Sequence, residues 1–216
     1  MTSEEFKTLV CNSPGQLTLI GKGFNKKCYK IPSNNEWLVL CATETKKNVL
    51  EEEFQQLNHL KTCKIAVPAL GDCIFPIKIG DIQYYAFVEQ FIEGFEIERT
   101  GTAFTESNIN DFGQKIVDQI CACGNFSNAK AMYNYAMSNL QILETAFHDD
   151  NFQIPDMQLR FSNTDGIIYV LDPGAVGSSE NAHDKQKRWI QLLLKSLDSR
   201  DMNRFWKRQH GEAVNF

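Results

Sequence analysis

Two carboxylates, a glycine-punctuated turn and a few lysines are the groups of this chain whose type and spacing could do chemistry. Asp172 closes the apolar run IIYVLD and is followed at once by Pro173-Gly174. An aspartate there can open a turn; it is also a hard oxygen ligand for Mg2+ or Mn2+. Asp156 lies upstream in the same stretch, IPDMQLRFSNTDGIIYVLDPG. Near the start, GKGFNKKCYKI places Gly21 and Gly23 in a turn whose backbone can approach phosphates, with Lys26, Lys27 and Lys30 just after. The segment EEEFQQLNHL adds Glu51, Glu52 and Glu53. A lysine steadied by a glutamate can hold phosphates, a carboxylate can hold the accompanying metal, and a second carboxylate can orient a hydroxyl and take its proton. Phosphoryl transfer asks for little more than such positioning and charge neutralisation.

The elements that must position these groups follow from period and punctuation. QLTLIGKG, KKCYKIP and WLVLCAT read as strands separated by turn signals. KKNVLEEEFQQLNHLKTC changes period, with Val49, Leu50, Phe54, Leu57 and Leu60 on one helical stripe. IFPIKIG and QYYAFVEQFIEG are strands again, so the first part runs three strands, a helix and two strands. From about residue 95 the pattern is helical. TESNINDFGQKIVDQICACG opens with Thr105 and Asn108 as cap residues, and NAKAMYNYAMSNLQILETAFHDD is a second helix. DMQLRFS, the turn NTDG and IIYVLD form a hairpin ending at Asp172, and the tail is one or two helices. The class expected is α+β, bilobal, with a β-rich N-lobe and a reduced, mostly helical C-lobe.

Bulk properties narrow the function. The 216 residues suit one large domain or two small lobes, and 43% hydrophobic with 23% charged residues is ordinary for a soluble globular protein. A net charge of −5 provides no broad basic field for nucleic acid or an anionic membrane. The basic stretches KQKR and RFWKR read as solvated helix faces. Seven cysteines without metal-type spacing, an odd number, suggest reduced thiols and a cytosolic environment. MTSEEFKTLV lacks the basic and long apolar segments of a Sec signal peptide, and no run is long enough for a membrane span.

Five features occur in an order that matters. GKGFNKKC fits the start of the glycine-rich loop G-x-G-x-x-G-x-V, with Lys26 at the third glycine position and Cys28 at the small apolar one. On WLVLCAT, Cys41 stands where the V-A-I-K pattern has its phosphate-gripping lysine, so another cation must serve; Lys26 is the natural substitute, with Lys27 and Lys30 as further choices. This resembles the with-no-lysine kinases. Glu53 suits the partner glutamate best, ahead of Glu52, while Glu51 is better read as complementing the helix dipole. YYAFVEQFIEG resembles a kinase hinge, which implies that the backbone near Glu89 and Phe91 binds the adenine edge. Asp156 and Asp172-Pro173-Gly174 fit the catalytic and metal-binding aspartates. The metal-binding asparagine expected after Asp156 is replaced by Phe161, Gln158 is the nearest amide, and Ile154-Pro155 stands where a histidine is usual. HDD, at 148–150, reads as a helix terminus.

Taken together the chain resembles the protein-kinase-like fold from roughly residue 16 to 195. The resemblance implies a single domain over 1–216, with an N-lobe at 1–90, a hinge at 91–94 and a reduced C-lobe at 95–216. The short segment after Gly174, without an A-P-E motif, is similar to the compact effector kinases that bacterial pathogens inject into host cells. That resemblance implies ATP with Mg2+ or Mn2+ as cofactors. It also implies a protein substrate phosphorylated on Ser or Thr rather than Tyr, in the host cytosol, a chaperone such as Hsp90 being one instance. Activity would be constitutive or dependent on a host activator. A small-molecule kinase of the aminoglycoside or choline type shares the hinge and paired aspartates; a nucleotide-binding pseudokinase fits the missing strand lysine; an unrelated α+β interaction protein is the remaining reading.

Overall fold

The computed structural model describes residues 2–11, 17–31, 34–98, 104–149, 152–154, 157–173 and 182–216. The chain divides into two compact units. The first comprises Met1–Thr62, Val67–Ile92 and Pro173–Ala175; the second comprises Cys63–Ala66, Glu93–Asp172 and Val176–Phe216.

The first unit is built on five antiparallel strands: β1 (Thr18–Lys22), β2 (Lys27–Ile31), β3 (Asn34–Thr43), β4 (Phe75–Ile79) and β5 (Ile82–Gln90), in the order β1-β2-β3-β5-β4. Helix α1 (Ser3–Cys11) precedes them and α2 (Lys47–Thr62) follows β3. The expected run of three strands, a helix and two strands is therefore present; the N-terminal helix was not foreseen. Strand alternation gives the sheet two apolar faces. Leu38, Leu40, Ala42 and Phe87 pack with Leu50 and Leu57 of α2. Val39, Cys41, Ala86 and Val88 point the other way and pack with Tyr29, Phe75, Tyr84 and Phe6 of α1. Phe6 of α1 is fully buried against this second face.

The second unit holds a three-stranded antiparallel sheet, β6 (Gly94–Glu96), β7 (Gln158–Ser162) and β8 (Ile168–Leu171), in sequence order. Its helices are α3 (Glu106–Cys121), α4 (Phe126–Ala146), α5 (Ala182–Asp198) and α6 (Met202–His210). Thr105 caps α3 by accepting from the Asn108 amide at 3.1 Å, as its sequence suggests. The β7–β8 hairpin turns through NTDG, with Gly166 at φ +77° packed against Met132. Strand β6 was unforeseen. It exists because Gly94 lets the backbone close on Phe161: a Cβ there would lie 1.9 Å from the Phe161 carbonyl oxygen. The basic residues Lys185 and Arg188 of α5, and Arg204, Lys207 and Arg208 of α6, are exposed, while Gln186 and Trp206 carry the buried side. The observed class is α+β, β-rich first and mostly helical second, as expected. Among the described residues no helix is long and apolar enough to cross a membrane.

Candidate functional site

In the first unit, the chain leaves β1 through a tight turn in which the Gly23 amide donates to the Lys26 carbonyl at 2.9 Å. Gly21 sits where the β1–β2 register shifts. A Cβ would meet Cys28 Cβ at 3.6 Å from Gly21, and the Lys26 carbonyl oxygen at 3.6 Å from Gly23, both ordinary contacts. The fold itself leaves room for side chains at both positions.

Lys26 pairs with Glu53. The ammonium donates to Glu53 Oε1, with the lysine side chain 19% exposed and the carboxylate 4%. Both placements follow from local periodicity. Glu53 lies three residues after Leu50 and four before Leu57, in the buried stripe of α2. Lys26 shares its parity with Cys28, which packs on the α2 face of the sheet. Lys27 has the opposite parity and donates to the Tyr84 hydroxyl at 2.7 Å on the other face, a bond that raises its pKa. Lys30 returns to the α2 face, its Nζ 4.9 Å from the Phe91 ring centroid. Glu52 is exposed, and Glu51 pairs with Lys47 at 3.6 Å. Of three lysines and three glutamates, the structure joins Lys26 to Glu53.

Cys41 requires a correction. It lies on the sheet face away from α2, fully buried beside Val39, Phe75 and Ala86. Burial pushes its thiol up to about 12. The β3 residues that share the face of Glu53 and Lys26 are Leu40 and Ala42. A strand residue able to join Lys26 and Glu53 would have to stand at one of these positions and not at 41, because a one-residue offset on a strand reverses the face.

The end of β5 also departs from expectation. The Phe91 amide, anticipated as open to an adenine edge, donates to the Glu36 carbonyl at 2.7 Å. The Gln90 amide donates to Ala69 at 2.8 Å, and the Val88 carbonyl accepts from Gly71 at 2.9 Å. Glu89 itself lies in the ladder opposite Leu38 and in a bridge with Leu70, and its residue is buried. Backbone pairing of this kind has no signature in residue types, so the strand end looked open in sequence.

In the second unit, β8 delivers Asp172 just beyond Leu171, in a left-handed conformation at φ 42°. Gln158, at the start of β7 opposite Leu171, donates its Nε2 to Asp172 Oδ2 at 3.3 Å. The two residues expected around a metal are thus adjacent, but Gln158 meets Asp172 through its nitrogen and acts as a support for the carboxylate. Phe161 is fully buried against Phe95, in keeping with its exclusion as a ligand. His148 and Asp149 follow directly on α4 as its terminus, their amides donating to Thr145 and Ala146. Asp156, Pro155 and Gly174 lie outside the described residues. Among the described residues no group of three or more His, Cys, Asp or Glu is arranged to hold a metal. One supported carboxylate nevertheless suits Mg2+, which binds through one or two carboxylates when phosphates and water complete its shell.

No protein-family model matches the sequence, and no curated protein matches it. Solved structures do resemble the chain. WaaP in complex with acyl carrier protein is 12% identical with a TM-score of 0.42, covering 98% of this chain and 93% of that one. Aminoglycoside-3'-phosphotransferase of type VIII is 13% identical with a TM-score of 0.41, covering 99% and 94%. Amicoumacin kinase hAmiN in complex with AMP-PNP, Ca2+ and Ami is 11% identical with a TM-score of 0.40, covering 96% and 84%. Such identities and scores leave the reaction and the substrate to be argued from the chain's own residues.

Proposed function

We propose that the chain is an ATP-dependent phosphotransferase of protein-kinase-like architecture that phosphorylates a protein hydroxyl, on Ser or Thr. The observation that carries this is the Lys26–Glu53 pair, which joins a glycine-turn lysine to a helix glutamate on a sheet of three strands, a helix and two strands. A desolvated glutamate fixes the ammonium, and a fixed ammonium stabilises phosphate charge better than a mobile one. In this reading residues 1–90 bind the nucleotide, 91–94 are the connecting hinge, and 95–216 are a reduced catalytic lobe. Lys26 holds phosphate oxygens, and Gly21 and Gly23 let the backbone approach them. Asp172, steadied by Gln158, would hold a divalent cation, which when bound offsets the charge of the phosphates. Asp156 orients the acceptor hydroxyl and takes its proton. The acceptor is a host protein in the cytosol, reached from a bacterial secretion system.

One feature favours a second reading, a small-molecule kinase. The second unit has a cavity of about 310 Å³ lined by Glu96, Glu98, Asp111, Asn108, Gln114 and Lys115. Glu98 pairs with Lys115 at 3.2 Å and Glu96 with Arg160 at 3.0 Å. Such a lining suits an amine-bearing acceptor.

The test is incubation with γ-labelled ATP, Mg2+ and a eukaryotic lysate. Labelled protein bands that vanish in Asp172→Asn are expected. Label on small molecules alone would overturn the protein acceptor in favour of the second reading, and ATP binding without transfer would overturn the phosphotransferase reading.

A further inference from the structure

We propose that the outer edge of β1 is a docking site for an extended, acidic segment of a partner protein, which adds to the sheet as a further strand. The proposal does not depend on the phosphotransferase reading, and its test needs no nucleotide.

Three observations lead to it. First, β1 is an open edge. It pairs with β2 alone, and Thr18, Leu19, Ile20 and Lys22 are all exposed. An edge strand carries a row of unpaired backbone donors and acceptors, and proteins commonly blunt such rows with prolines, bulges or inward charges. The register to β2 does shift between Leu19 and Gly21, but the residue at the shift is Ile20, which adds apolar surface where a charge would repel a neighbour. Second, the edge is apolar. Among the described residues five large hydrophobic side chains are exposed, and three of them fall within 19–24: Leu19 at 49%, Ile20 at 48% and Phe24 at 91%. Exposed apolar residues scattered singly need no explanation, whereas a cluster marks a contact surface. Third, the edge is cationic in a chain whose net charge is −5. Residues 17–31 hold Lys22, Lys26, Lys27 and Lys30 and no carboxylate. Glu53 meets Lys26, but the groups that meet Lys27 and Lys30 are uncharged, a tyrosine hydroxyl and the Phe91 ring.

The strand register defines what the docked segment carries. On the α1 face, Leu19, Tyr29, Val39 and Val88 are consecutive cross-strand partners, an apolar row. Lys22, Lys27, Cys41, Ala86 and Phe75 form the neighbouring row, with two ammonium groups and no carboxylate. A strand added beyond β1 extends both rows. Cross-strand pairs favour an apolar side chain beside Leu19 and a carboxylate beside Lys22. Main-chain hydrogen bonds to the edge supply the remaining attraction, as in other cases of strand addition. A second copy of β1 brings no carboxylate to Lys22, so the charge favours a different, acidic partner.

The experiment titrates the full chain, without nucleotide, into a fluorescently labelled nine-residue peptide and follows anisotropy. The peptide alternates threonine on one face with valine and glutamate in turn on the other. It is expected to bind at least about fivefold more tightly than the same peptide with lysine for glutamate, the size of one cross-strand charge pair made or reversed. Lys22→Glu, a change at an exposed position, should invert that preference, and methylation of the peptide's backbone nitrogens along one edge should abolish binding. Absence of binding, equal affinity for the two peptides, an unchanged preference in Lys22→Glu, or equal binding of the methylated peptide would each overturn the proposal. Self-association of the chain alone that is lost in Ile20→Lys would assign the edge to a second copy and overturn it as well. None of these outcomes bears on phosphoryl transfer, so the two readings fail separately.

Discussion

Replacing Lys26 with Met should cost far more than removing a surface charge. The substitution keeps the aliphatic bulk but leaves the Glu53 carboxylate, 4% exposed, without the ammonium that meets it. Removing one partner of a buried pair costs about 3–5 kcal/mol because the other charge stays desolvated. The lysine is 19% exposed, so water relieves part of this, and about 3 kcal/mol is the working figure. For a chain of this size that corresponds to a fall of roughly 6–12 °C in Tm. Glu53→Gln in the Lys26→Met background removes the stranded charge and should restore about 2 kcal/mol, so the double variant is more stable than Lys26→Met alone. Lys27→Met is the control. It forfeits one hydrogen bond to Tyr84 and should cost only about 1 kcal/mol. Urea unfolding of the wild type, Lys26→Met, Lys27→Met, Glu53→Gln alone and the Lys26→Met/Glu53→Gln double variant measures all of these. Strictly additive losses at positions 26 and 53, or a larger loss at 27 than at 26, would refute the pairing and the facial argument behind it.

Two further outcomes follow from single residues. Gly94→Ala should lower the melting temperature sharply, by the 1–3 kcal/mol typical of overpacking or more, because its Cβ would lie 1.9 Å from the Phe161 carbonyl oxygen. Gly124→Ala, with nothing within 4 Å of a Cβ, should be nearly neutral in the same melt. Cys41 keeps its proton up to about 12 in the folded chain against 9.0 for an ordinary thiol. The unfolded chain therefore loses that proton first, and stability should fall as pH rises from 9 towards 12. Denaturant midpoints measured across that window should decline less steeply in Cys41→Ala than in the wild type.

Much of this architecture is legible in sequence because it rests on period. The stripe through Leu50, Leu57 and Leu60 marks α2 and places Glu53 within it. The cap at Thr105 and the turn before Gly166 are local chemistry and are read directly. Elements made by tertiary pairing are not. Strand β6 is three residues long and is defined by its partner β7, and among the described side chains of α1 it is Phe6 that is buried. Cys41 shows a subtler limit. Aligning WLVLCAT to a four-letter motif puts Cys41 at the motif's lysine, whereas the alternation of the strand turns Cys41 away from α2 and puts Leu40 and Ala42 on the α2 face. The same alternation, applied to KKCYK, is enough to send Lys26 and Lys27 to opposite faces. The commitment of the Phe91 amide to Glu36 is invisible in sequence, since a backbone bond can be made by any residue other than proline.

The central claim is that Lys26, aimed by Glu53, serves phosphoryl transfer. Transfer of label from γ-labelled ATP should therefore be compared among the wild type, Lys26→Met and Lys27→Met, each at a temperature where it is folded. Transfer by the wild type and Lys27→Met, with a loss of at least about a hundredfold in Lys26→Met, is the expected result. Undiminished transfer by folded Lys26→Met would contradict the account.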